Sequence, residues 1–179
     1  MWVDRIAEAT NWEPLRLELP WDTVEEDLGT PLPEDYKHLA ATFGTGEFSQ
    51  FMCVLGVEAT GQFDLAHIWR TYLADTPESG PDPVVTPYPL YRPDRPGLIP
   101  WAYGEMECEY FWLASADESP TTWPIVTRGD PYDWHELTMP TTEFVHRVLT
   151  DPEFAPFSIA RLIPRPDFHP IPPTGAALL

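Results

Sequence analysis

Twenty-three prolines divide this 179-residue chain into stretches that can form regular structure and stretches that cannot. Proline lacks a backbone donor and fixes φ, which bars it from helix interiors and central strands. Seven prolines fall in residues 76–97, "TPESGPDPVVTPYPLYRPDRPG". That span reads as a rigid surface loop; a polyproline II ligand for an aromatic groove is the competing reading. The tail from Pro152 is proline-rich again, and its Phe154, Phe157 and Phe168 argue that it lies along the domain.

Outside those spans the clearest signal is "LPEDYKHLAATFGTGEF", residues 32–48. Pro33 suits the first helical position, and Glu34 and Asp35 favour the positive end of the helix dipole. Tyr36, Leu39, Ala40 and Phe43 form one apolar stripe. Gly44 stops the helix, and Gly46 permits a second bend before a strand begins at Phe48. Shorter helices are expected at 2–10, with Trp2, Ile6 and Ala9 on one side, and at "WDTVEEDLG", with Asp22 as cap and Gly29 as terminator. "EFSQFMCVLGVE" reads as one apolar, central strand over Phe48–Val57. "DLAHIWRTYLAD" reads as a helix capped by Asp64. "LIPWAY", "CEYFWLAS" and "TWPIVTR" are short strands, with "DWHELT" as a fourth. "TTEFVHRVLTD" is a closing helix capped by a threonine, with Phe144, Val145, Val148 and Leu149 facing inward. Helices, then strands, then a closing helix predict an α+β fold, with a central, mostly antiparallel sheet flanked by helices in a single domain. The domain spans 1–150 and includes the loop at 76–97; the tail, 151–179, packs on it.

The formal charge is −19, from 29 acidic against 10 basic residues. Such a field repels nucleic acid and speeds encounter with basic proteins, although it also serves plain solubility. No run approaches the ~18 apolar residues of a membrane span. No basic region followed by an apolar run opens the chain, and Cys53 and Cys108 form neither a spaced ligand set nor a disulfide framework. A cytoplasmic setting is expected, without membrane or nucleic-acid partners and without a cofactor.

Motifs for chemistry are scarce. None of His38, His67, His135, His146 and His169 stands in a zincin helix, and no GxSxG elbow or Walker A loop occurs. The glycines of "FGTGEF" follow a helix, whereas a phosphate cradle precedes one. Glu105, Glu107 and Glu109 in "EMECEY" recur every second residue, so an extended segment would project them from one face. With Asp117 and Glu118 in the next turn they form the candidate acidic surface for a basic partner. Two alternatives stand beside it: a solvated hairpin face with Met106, Cys108 and Tyr110 inward, and a hard-cation site. Trp101, Trp112, Trp123 and Trp134, one per strand, suit a core, or else a carbohydrate platform.

The chain resembles the SUKH superfamily, also called the SMI/KNR-type immunity and cell-wall regulator family. Trp21, "LG" at 28–29, "LP" at 32–33, Asp35-Tyr36 and "FGTGEF" carry the resemblance. "LIPWAYG", "YFW" at 110–112, "WPIV" at 123–126 and "EFVHRVL" at 143–149 extend it over residues 21–149. The resemblance implies an α+β fold without a shared catalytic set. It implies a non-enzymatic protein that binds a protein partner. Bacterial members are largely immunity proteins that neutralise toxins, many of them nucleases; fungal relatives are interaction hubs for cell-wall assembly. An acidic surface that occludes a basic toxin, or a regulatory scaffold without a toxin, are the two functions it leaves open.

Overall fold

The computed structural model describes residues 1–57, 59, 61–76, 85–104, 108–129 and 133–171. Among them are five α-helices: α1 (Trp2–Ala9), α2 (Trp21–Leu28), α3 (Glu34–Phe43), α4 (Leu65–Asp75) and α5 (Thr141–Thr150). Seven strands accompany them: β1 (Gly46–Phe48), β2 (Met52–Val54), β3 (Gly97–Gly104), β4 (Glu109–Ala114), β5 (Ile125–Arg128), β6 (Trp134–Leu137) and β7 (Phe168–Pro170). The strands form one sheet in the order β6-β5-β4-β3-β2-β1-β7, and every neighbouring pair is antiparallel. The fold is therefore α+β, with the sheet flanked by helices. No helix among the described residues is long and apolar enough to cross a membrane.

The main core lies between the helices and one sheet face. Tyr36 of α3 meets Trp112 of β4 edge to face at 4.8 Å, and its hydroxyl donates to the Leu55 carbonyl at 2.5 Å. Phe144 of α5 lies against Trp101 and Tyr110. Trp101, Trp112 and Trp123 are buried here, filling the core that aromatic residues of this bulk commonly fill. Gly29 ends α2 with φ +70, the left-handed geometry expected of it.

Several elements differ from the sequence expectation. Phe48–Val57 is not one strand. Ser49 and Gln50 both take positive φ, 55° and 53°, and the Phe51 N–H returns to the Phe48 carbonyl at 2.9 Å. This tight turn folds the segment into the β1–β2 hairpin. The residues that turn are not glycines, so the turn has no strong local signature. Asp22 does not cap α2; Pro20 holds that position without a side-chain cap.

The closing helix is capped from elsewhere. Pro140 at its N-cap makes no side-chain cap bond. Instead the Asp35 carboxylate accepts from the Thr142 N–H at 2.8 Å and from its hydroxyl at 3.0 Å. A carboxylate on α3 thus satisfies an end of α5 more than a hundred residues away.

The proline-rich span is only partly a surface loop. Residues 77–84 lie outside the described residues. In the rest, Pro87, Pro89, Pro93 and Pro96 face solvent while Val85, Leu90 and Tyr91 are buried. Val85 and Leu90 cover Leu98, Phe111 and Val126 on the second sheet face, a separate small core. The tail also builds structure. Phe168 brings β7 against β1 and lies 4.8 Å from Phe48 and 4.9 Å from Trp12. The sheet's last strand therefore comes from beyond residue 150.

Candidate functional site

Residues directly opposed in an antiparallel sheet project from the same face. The register therefore assembles one continuous row across all seven strands. It runs His169, Glu47, Cys53, Tyr103, Glu109, Arg128 and Trp134, in spatial order from β7 to β6. Phe111, two residues after Glu109 on β4, belongs to the small core of the second face, so the row lies on that face, where Tyr72 and Leu73 of α4 also pack.

The row is built around Glu109. Its Oε2 accepts from Arg128 Nε and Nη2, each at 2.5 Å, and its Oε1 accepts from the Tyr72 hydroxyl of α4. The Arg128 guanidinium lies 4.7 Å from the Trp134 ring centroid, a cation–π arrangement. Trp134 packs against Tyr88 at 5.2 Å and donates to the Thr86 carbonyl at 3.0 Å. One carboxylate thereby ties together α4, three strands and the proline-rich loop. The Arg128 side chain is 11% exposed and that of Glu109 22%. At such burial, removing one partner strands the charge of the other.

Further along, Cys53 is buried and reduced. Burial pushes its thiol up to about 11; the Glu47 charge adds to this and a hydrogen bond with Tyr103 opposes it. At neutral pH it is a thiol and not the thiolate a nucleophile requires. Among the described residues no group of three or more His, Cys, Asp or Glu is placed to hold a metal ion. The row presents fixed charge, hydrogen bonding and an aromatic ring.

Of the five candidate acidic residues, Glu105 and Glu107 lie outside the described residues. Glu109 stands in the row, but its charge is met by Arg128. Asp117 and Glu118 are exposed in the turn after β4. Glu109 opens the six-residue β4 and that turn follows its last residue, about 17–20 Å away. Asp117 and Glu118 therefore do not share a patch with Glu109. Glu47, Tyr103, Arg128 and Tyr72 are neighbours of the site that no local spacing discloses. Their proximity depends on the β1–β2 turn and on the register of four strand pairs.

Beyond the row several basic side chains are paired with carboxylates, while Arg5, Arg16, Arg95 and Arg165 stand exposed. Lys37 is held by Glu25 at 2.5 Å and Glu34 at 2.9 Å, and Arg147 by Asp151 at 3.3 Å. Arg70 pairs with Asp27 and Arg161 with Glu153. Meanwhile Glu8, Glu13, Glu18, Asp22 and Glu26 stand exposed along the first part of the chain. No protein-family model, no curated protein and no solved structure matches the chain.

Proposed function

We propose that this protein is a non-enzymatic binding module of the SUKH kind: a cytoplasmic immunity protein that neutralises a basic toxin by covering its active site. The supporting observation is the disposition of charge. Lys37, Arg70, Arg128, Arg147 and Arg161 are each engaged by carboxylates, whereas acidic side chains from Glu8 to Glu26 and at Asp117 and Glu118 face solvent. With 29 acidic against 10 basic residues, the outward field is acidic. Such a field steers basic partners and accelerates their association. Nucleases are the toxin class it suits best, because their active sites are built to receive phosphates.

The test is co-purification of the tagged protein from its native cells, with identification of what remains bound. The reading expects a stoichiometric basic protein that kills cells when expressed alone and is harmless when co-expressed. Recovery of cell-wall or housekeeping enzymes alone would replace it with the regulatory, scaffolding function.

A further inference from the structure

Residues 13–19, "EPLRLEL", cross the C-terminal end of α3 and are fastened to it by alternate N–H groups. Leu15 N–H donates to the Thr42 carbonyl at 2.8 Å and Leu17 N–H to the Ala41 carbonyl at 3.1 Å. Carbonyls in the last turn of a helix lack helical donors, so this attachment satisfies them. Both leucines lie over Gly44: a Cβ there would stand 3.4 Å from Leu17 Cδ1 and 3.9 Å from Leu15 Cδ1. Yet Leu15 is 41% and Leu17 40% exposed. A single exposed leucine is unremarkable. Two on the same side of an extended segment, held by backbone bonds, form a small fixed apolar ridge.

The surround is acidic. Glu13 and Glu18 stand exposed at the two ends of the ridge, with Arg16 between the leucines. Beside it a groove of about 590 Å³ is lined by Glu8, Trp12 and Glu13 among others. An apolar centre with a charged rim is the anatomy of a protein interface, and a preformed ridge lowers the ordering cost of binding. We infer that the Leu15–Leu17 ridge, rimmed by Glu8, Glu13 and Glu18, is the docking surface for a basic protein that presents an apolar patch ringed by lysine or arginine. The inference rests on reading the protein as an acidic binding module, and it names the face.

Two synthetic peptides of equal positive charge test it by titration against the full chain, one amphipathic with alternating lysine and leucine, the other with lysine and serine. The expected result is tighter binding of the lysine–leucine peptide, lost about tenfold in Leu15→Ser/Leu17→Ser, as for interface anchors. Leu162→Ser should leave it unchanged, since Leu162 is 79% exposed outside the ridge. Thermal unfolding equal to that of the parent confirms that the double variant is folded. Equal binding of both peptides, unaffected by the leucine changes but weakened by salt, would overturn the ridge and leave the acidic module standing. Binding of neither peptide at low salt would overturn both. A dimer in sedimentation that disappears in the double variant would give the ridge to a second copy and overturn the proposed partner.

Discussion

A methyl group on Gly46 would stand 2.3 Å from the Phe168 ring and 2.5 Å from the His169 carbonyl oxygen. The second glycine of "FGTGEF" is therefore kept small by the approach of β7, not by a bend. Gly46→Ala should cost about 2 kcal/mol through overpacking, measured by urea unfolding. A cost below about 0.5 kcal/mol would show that β7 yields easily. Asp35 carries a comparable load as the cap that α5 lacks; Asp35→Ala should destabilise by about 1–2 kcal/mol, again by urea unfolding. The sequence placed Asp35 in a helix first turn, which it is, but could not show that its carboxylate serves a second helix. Cys53 gives a pH signature. Its thiol is raised above the ordinary 9.0 to about 11, chiefly by burial. The folded state thus holds the proton more tightly, so its contribution is intact below pH 9 and is lost as pH rises towards 11. Unfolding free energy should fall across that window, and less so in Cys53→Ala. A thiol alkylated at pH 8 as fast as a free cysteine would contradict the burial.

The elements that the sequence disclosed are those whose signals are local. Helices α2 to α5 follow apolar stripes with a period near 3.6, whereas α1 buries Val3, Ile6 and Ala7 and leaves Trp2 and Ala9 only part-buried; Asp64 caps α4 by accepting from the His67 N–H at 2.8 Å. β3 to β6 follow apolar runs separated by turn residues. What stayed hidden is what depends on distant contacts. The β1–β2 turn uses Ser49 and Gln50 at two positive-φ positions where Gly, Asn or Asp is preferred, and its Ser49 N–H donates to the Asp167 carbonyl at 2.9 Å. Gln50→Gly should therefore raise the melting temperature, since positive φ costs an L-residue about 1 kcal/mol. No change would mean that Gln50 has a compensating contact. Among residues 85–96 no helix or named strand forms, as the proline density requires, but that density could not distinguish a free loop from one anchored by Val85 and Leu90. Leu90→Ala should cost about 2–4 kcal/mol, as a core position does, where a surface loop would register almost nothing. The candidate site was legible to the same extent. Glu109 was visible from its spacing, but its partners Arg128 and Tyr72 arrive through register and helix packing.

At the scale of the whole molecule, the charge of −19 is the property that most limits what can bind. Its neutral framework, the α3–sheet contact through Tyr36 and Trp112, holds the acidic exterior in place. Asp117 and Glu118 lie about one strand length from the row, so Asp117→Lys/Glu118→Lys should slow association with a basic partner mainly through the long-range field. Dissociation should change little, and the difference should shrink as salt rises. Rapid-mixing kinetics at two ionic strengths would register this; an equal change in dissociation would place the turn inside the contact. Whether the protein neutralises a toxin by stoichiometric occlusion is decided by titrating it into a fixed amount of any basic protein recovered with it while following that protein's activity. The expected result is a linear fall to zero at one equivalent, with the midpoint moving to higher concentration as salt rises. Full loss of activity at a small fraction of an equivalent would instead reveal a catalyst, and no loss at several equivalents would remove the inhibitor altogether.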